Sequence, residues 1–185
     1  MTYLSSLPEN GTLLDLYRRF PEAARTQVLN SDLVMRGPSP LSPGERELIA
    51  AYVSSLNACR YCFGGHAKVA EAFGLDISVL RHLQDDLDSA PVDEKLKPIL
   101  RYVKKLTETP SRMTEADAQA VYHAGWSEAA FFNAVQVCCV FNYMNRLVDG
   151  LGLAASDEQA QITGRMLYDK GYAAILNMLG ISGDQ

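Results

Sequence analysis

Residues 42–74 read SPGERELIAAYVSSLNACRYCFGGHAKVAEAFG, and this stretch decides the fold. Ser42 with Glu45 forms a capping box, and Pro43 stands at the first helical position, where its missing N–H costs nothing. The pattern predicts a helix from about Pro43 to Leu56. Leu48, Ile49, Tyr52, Val53 and Leu56 share one apolar face of it, with Glu47 on the opposite side. A second helix should carry Cys59 to Phe73 and stop at Gly74. At about 100° per residue, Cys59, Cys62 and His66 fall within roughly 60° of one another around that helix.

Working outward, the helix signals recur. Asp76 can cap a short helix through Leu80 and Leu83. Asp93 to about Thr107 reads as another, with Pro98 either kinking it or marking its true first turn. Thr114 caps a helix ending near Gly125, and Ser127 caps a long one ending near Gly150. Ser156 with Gln159 opens a helix expected to run to about Leu179. Before Ser42, two helices should divide near Phe20-Pro21. No segment sustains a period-two alternation between turn dipeptides. The expected fold is an all-α, single-domain helical bundle over residues 1–185, with a redox core at about 42–75.

The 185 residues are 48% hydrophobic, enough for one domain with a real core. A net charge of -5 argues against nucleic acid and anionic membrane as partners, since both select basic surfaces. No apolar run approaches the roughly 20 residues of a membrane span. The start, MTYLSSLPENG, has no basic-then-apolar leader. A cytoplasmic location is the expectation. There, a close cysteine pair points to catalysis, redox sensing or metal rather than a structural disulfide.

Two thiols three residues apart near a helix start can form a disulfide with little backbone movement. Helix N-terminal amides favour thiolate there, Arg60 adds positive charge, and His66 can take a thiol proton directly or through water. Peroxide reduction uses such parts: a thiolate becomes a sulfenic acid, and a neighbouring thiol condenses with it to a disulfide. Three other readings compete. Thioredoxin-like exchange needs a βαβ context, which is missing here. Structural zinc needs a fourth ligand from distant His82, His123, Cys138 or Cys139, although a three-ligand catalytic zinc site is not excluded by count. The bland reading is two buried cysteines and a core histidine. For Glu47, the wheel alone favours a solvated glutamate near a helix start. Ala50, Ala51 and Ser54 on the same side would nevertheless let another helix approach closely.

Glu47, Cys59, Cys62 and His66 follow the pattern E-x11-C-x2-C-x3-H, and with LIAAYVSSLNACRYCFGGHAKVAEAFGL and FNYMNRLVDGLG the chain resembles the alkylhydroperoxidase D core within the carboxymuconolactone decarboxylase-like superfamily. The likeness runs from roughly Leu13 to Leu153 and is strongest to the uncharacterised peroxidase-related branch. It implies an all-helical fold that assembles into homo-oligomers, commonly trimers or hexamers. It implies a peroxidatic Cys62, a resolving Cys59, and a proton relay through Glu47 and His66. Where the best-studied members have a histidine before the second cysteine, this chain has Tyr61. A phenol can donate or relay but is a poor base at neutral pH. The substrate implied is an organic hydroperoxide or hydrogen peroxide. No bound metal, haem or flavin is required. The electrons come from an external dithiol or thiol donor, such as a lipoylated protein. Two rivals stand beside this function: a decarboxylase or lactone-handling enzyme, and a redox sensor or interaction module.

Other residues invite structural readings. Cys138 and Cys139 sit in an apolar stretch and read as small buried hydrophobes. Asn142, Asn145 and Arg146 should satisfy buried polar groups or line the site. His82 and His123 read as surface or boundary residues, and Trp126 as a packing residue beside the Ser127 cap. Gly64 and Gly65 weaken a helix, which would let backbone or substrate close to Cys62.

Overall fold

The computed structural model describes residues 1–181. Its elements are α1 (Leu13–Arg19), α2 (Pro21–Arg36), α3 (Pro43–Leu56), α4 (Arg60–Ala72), α5 (Ser78–Asp85), α6 (Lys97–Glu108), a 3₁₀ turn (Pro110–Arg112), α7 (Glu115–His123), α8 (Glu128–Gly150), α9 (Asp157–Lys170) and α10 (Ala174–Leu179). No strand occurs among the described residues, and no helix there is long and apolar enough to cross a membrane. The caps lie where the side chains put them: Ser42, Thr114 and Ser156 each close a reciprocal box, and Ser127 accepts from the Ala130 N–H. Such caps each contribute about 1 kcal/mol. Pro98 falls in the first turn of α6 and does not kink it.

α3 is the central helix. Every residue from Arg46 to Ser54 is buried, and α4, α8, α6 and α5 pack around it. Burial of Ile49, Tyr52 and Val53 against these neighbours supplies about 1.5–3 kcal/mol for each large apolar side chain. Buried Arg46 donates to the Val34 and Gly37 carbonyls, which ties the end of α2 to the start of α3.

The chain passes from α3 to α4 through a left-handed residue, Ala58, at φ 54°. The Cys59 N–H then donates back to the Ser54 carbonyl at 3.0 Å. A left-handed cap is usually glycine, and an alanine there costs about 1 kcal/mol. The strained turn sets Cys59 at the N-cap of α4.

α9 lies across α4 at close range. A Cβ on Gly164 would stand 2.9 Å from Lys68 Cβ and 3.3 Å from the Gly65 carbonyl oxygen, and one on Gly64 would meet Ala160 at 3.7 Å. The close approach depends on Gly164 rather than on Gly64, whose Cβ would make an ordinary contact, or Gly65, whose Cβ would meet nothing within 4 Å.

Two expectations are corrected. The helix opened at Ser156 does not continue to Leu179: it ends at Lys170, Gly171 takes φ 71°, and α10 starts at Ala174. Asp32 stabilises the break by accepting from the Tyr172 and Ala173 N–H groups at 2.8 and 3.0 Å. Cys139 is not buried beside Cys138: it faces outward from α8, on the flank where Phe132 and Tyr143 are also exposed. Residues 1–12 form a strap fastened by Tyr3 N–H to the Leu151 carbonyl and Ala154 N–H to the Gly11 carbonyl. Leu4 and Leu7 of the strap pack with Leu16, Val148 and Leu153 around Cys59.

Candidate active site

Cys59 and Cys62 occupy the first turn of α4, and both are free thiols. Cys62 lines a cavity of about 230 Å³ together with His66, Tyr61, Tyr17, Phe141 and Met166. Cys59 is fully buried behind it, against the strap. The pair divides its ionisation unequally. The hydrogen bond from Cys62 draws the Cys59 thiol below its ordinary value, against the opposing effect of burial. The same hydrogen bond and burial push Cys62 well above it. Of the two thiols, Cys59 is therefore the one that releases its proton more readily.

Glu47, which helical periodicity alone would leave in solvent, has no exposed surface. Its Oε2 lies 2.8 Å from His66 Nδ1, and its Oε1 receives an Arg36 guanidinium N–H at 2.7 Å and the Tyr172 hydroxyl at 3.0 Å. Burial pushes the Glu47 carboxyl up, but the His66 hydrogen bond and the Arg36 charge more than offset this and hold it below its ordinary value. It is a carboxylate, which can only accept. The proton between it and His66 must then sit on Nδ1, so in neutral His66 the free lone pair is on Nε2. The ring is held edge-on against Phe141 at 4.3 Å between centroids. Arg36 and Tyr172 went unnoticed in the sequence. The signals available were Arg36-Gly37 and Lys170-Gly171, each a basic residue and glycine that mark a helix end.

Tyr61 stands in the cavity wall, and its hydroxyl accepts the Leu13 N–H at 3.0 Å, at the start of α1. Burial pushes its phenol up to about 12, although the Leu13 N–H acts in the other direction. It is thereby a wall and a helix anchor, with no capacity as a base near neutral pH.

A buried polar chain reaches the thiols from the far side. Asn57 donates to the side-chain oxygens of Asn142 and Asn145 at 3.1 and 2.9 Å, which fixes the Asn145 amide to donate to Ser54 at 3.1 Å. Asn145 also hydrogen-bonds Cys62, in the sense that favours its thiolate. Asn142 donates to Thr107, and Arg146 donates to Asn142. Asn145 thus touches the site, whereas Asn142 and Arg146 support it from outside. Cys138 is enclosed by apolar side chains and hydrogen-bonded to Thr107, and burial pushes its thiol up to about 11. His82 and His123 are exposed. Trp126 packs under Lys95 and donates to its carbonyl. Among the described residues, no three His, Cys, Asp or Glu side chains converge as a metal site.

Residues 21–85, which contain Glu47, both cysteines and His66, match the Carboxymuconolactone decarboxylase family. The chain is similar to an uncharacterized peroxidase-related protein from Silicibacter sp. TM1040, at 26% identity and a TM-score of 0.74 over 80% of this chain and 78% of that one. An alkylhydroperoxidase AhpD core protein from Ralstonia eutropha JMP134, also uncharacterized and peroxidase-related, shares the fold at 22% identity and a TM-score of 0.73, over 82% of this chain and 79% of that one. A protein of unknown function from Agrobacterium tumefaciens shares it at 19% identity and a TM-score of 0.63, over 78% of this chain and 99% of that one. No curated protein matches the chain.

Proposed function

We propose that this chain belongs to the alkylhydroperoxidase D/carboxymuconolactone decarboxylase-like superfamily and is a thiol peroxidase in which Cys62 attacks the hydroperoxide and Cys59 resolves the product. The observation that carries the reading is access: of the two sulfurs, Cys62 lines the cavity and Cys59 does not. Substrate entry brings the hydroperoxide to Cys62, whose proton passes to His66 Nε2. The Cys62 thiolate then takes the terminal oxygen, the O–O bond breaks, and the departing alkoxide is protonated from His66. Cys62 becomes a sulfenic acid and an alcohol is released. Cys59 then attacks the Cys62 sulfur, water leaves and a disulfide forms. An external dithiol returns the two electrons. Glu47 keeps His66 in the tautomer that this proton traffic requires.

Among the described residues, the cavity is lined by no Asp, Glu, Lys or Arg, and most of its wall is aliphatic or aromatic. That lining favours an uncharged hydroperoxide with an apolar body over hydrogen peroxide, because apolar contact adds about 0.8 kcal/mol per buried methylene. It also disfavours the lactone-handling alternative. A carboxylated lactone would meet no cation there, since Arg36 is committed to Glu47. Peroxidase assays with dihydrolipoamide as donor should give kcat/KM at least about tenfold higher for cumene hydroperoxide than for hydrogen peroxide. Absence of turnover with every hydroperoxide and every dithiol or thiol donor would overturn the reading.

A further inference from the structure

The Cys62–His66–Glu47 arrangement has a fourth member supplied from the far end of the chain. Tyr172 is buried, lies just past the Gly171 break, and inserts its hydroxyl between Glu47 and His66, at 3.0 Å from Glu47 Oε1 and 3.2 Å from His66 Nδ1. Its ring runs within 8° of parallel to the imidazole, with centroids 6.1 Å apart, and the Arg36 guanidinium covers it at 5.0 Å. A continuous helix through residue 179 would not deliver the hydroxyl by this route. The chain instead breaks at Gly171, where a Cβ would stand 3.1 Å from Asp32 Oδ1, and Asp32 holds the two following N–H groups.

We infer that Tyr172 is a positioning residue for His66, and that the Gly171 break with Asp32 exists to place it. This role for Tyr172 rests on the thiol-base reading above. A carboxylate held by Arg36 alone can swing about that ion pair. The Tyr172 hydroxyl gives Oε1 a second donor from a different direction, which fixes the carboxylate plane and aims Oε2 at His66 Nδ1. Burial and the neighbouring Glu47 charge push the Tyr172 phenol well above its ordinary value, so it stays a donor throughout the working range. A protonated Nδ1 leaves the Nε2 lone pair free, and that is the tautomer that can relieve Cys62 of its proton.

The test is Tyr172→Phe, which keeps the ring and removes only the donor, beside Asp32→Ala, which keeps the hydroxyl and frees the backbone that carries it. Two readouts apply to each: the His66 tautomer by ¹⁵N NMR, and the rate of Cys62 alkylation at fixed pH in the reduced protein. Neither needs peroxide, so their outcome is separate from whether the protein is a peroxidase. Tyr172→Phe should lower the Nδ1-protonated fraction and slow alkylation about tenfold or more, a share of the range that a positioned base contributes. Asp32→Ala should move both in the same direction by less. An unchanged tautomer in a folded Tyr172→Phe protein would overturn the inference, even if alkylation slowed. Should Tyr172→Phe fail to fold, an unchanged tautomer in Asp32→Ala would do the same.

Discussion

Burying a carboxylate costs several kcal/mol unless its charge is met by donors, and at Glu47 three groups meet it: Arg36, His66 and Tyr172. Replacing it by Gln leaves the Arg36 guanidinium without a counter-charge and His66 without its acceptor. Glu47→Gln should cost about 3–5 kcal/mol in urea unfolding. The same contacts set a pH dependence. The folded state holds the Glu47 carboxyl below its ordinary 4.5, so it binds that proton less tightly than the unfolded chain does. The resulting stabilisation is complete well above pH 4.5 and drains away as pH falls through the folded value. Urea midpoints measured from neutral pH downward should fall on the acid side in the native protein and fall less in Glu47→Gln. The cysteine spacing and its histidine were legible in the sequence because they lie within two turns of one helix. The burial of Glu47 was not, because two of its three partners, Arg36 and Tyr172, come from α2 and from the far end of the chain.

At the scale of elements, the helix starts were legible because a cap is a local transaction among four residues, as at Ser42, Ser127 and Ser156. The break at Gly171 was not, because Asp32 lies 140 residues from Tyr172 in the chain. Nor was the left-handed Ala58, whose backbone is set by the turn it must make rather than by its own preference. The α4–α9 crossing illustrates a third case. Gly64 and Gly65 drew the eye in the sequence, but the glycine that the crossing requires is Gly164 of α9. Gly164→Val would drive a side chain into Lys68 and the Gly65 carbonyl. It should cost about 1–3 kcal/mol by overpacking, read as a lower urea midpoint.

Across the whole molecule, α3 at the centre brings Glu47 to α4, while the strap and α8 close over Cys59 and leave Cys62 to the cavity. This unequal enclosure makes two like thiols take different parts. Deleting residues 1–10 removes Leu4 and Leu7 from above Cys59. Alkylation of Cys59 should then rise about tenfold relative to the intact chain, as local opening becomes cheaper; mass mapping of the labelled peptide reads it. The central claim, that Cys62 attacks and Cys59 resolves, is tested most directly by intact mass after one equivalent of cumene hydroperoxide. The native protein should lose two hydrogens as the disulfide closes, Cys59→Ser should stop at the gain of one oxygen on Cys62, and Cys62→Ser should remain unchanged. Oxygen gained at Cys59 in the Cys62→Ser protein, with Cys59→Ser left unmodified, would contradict it.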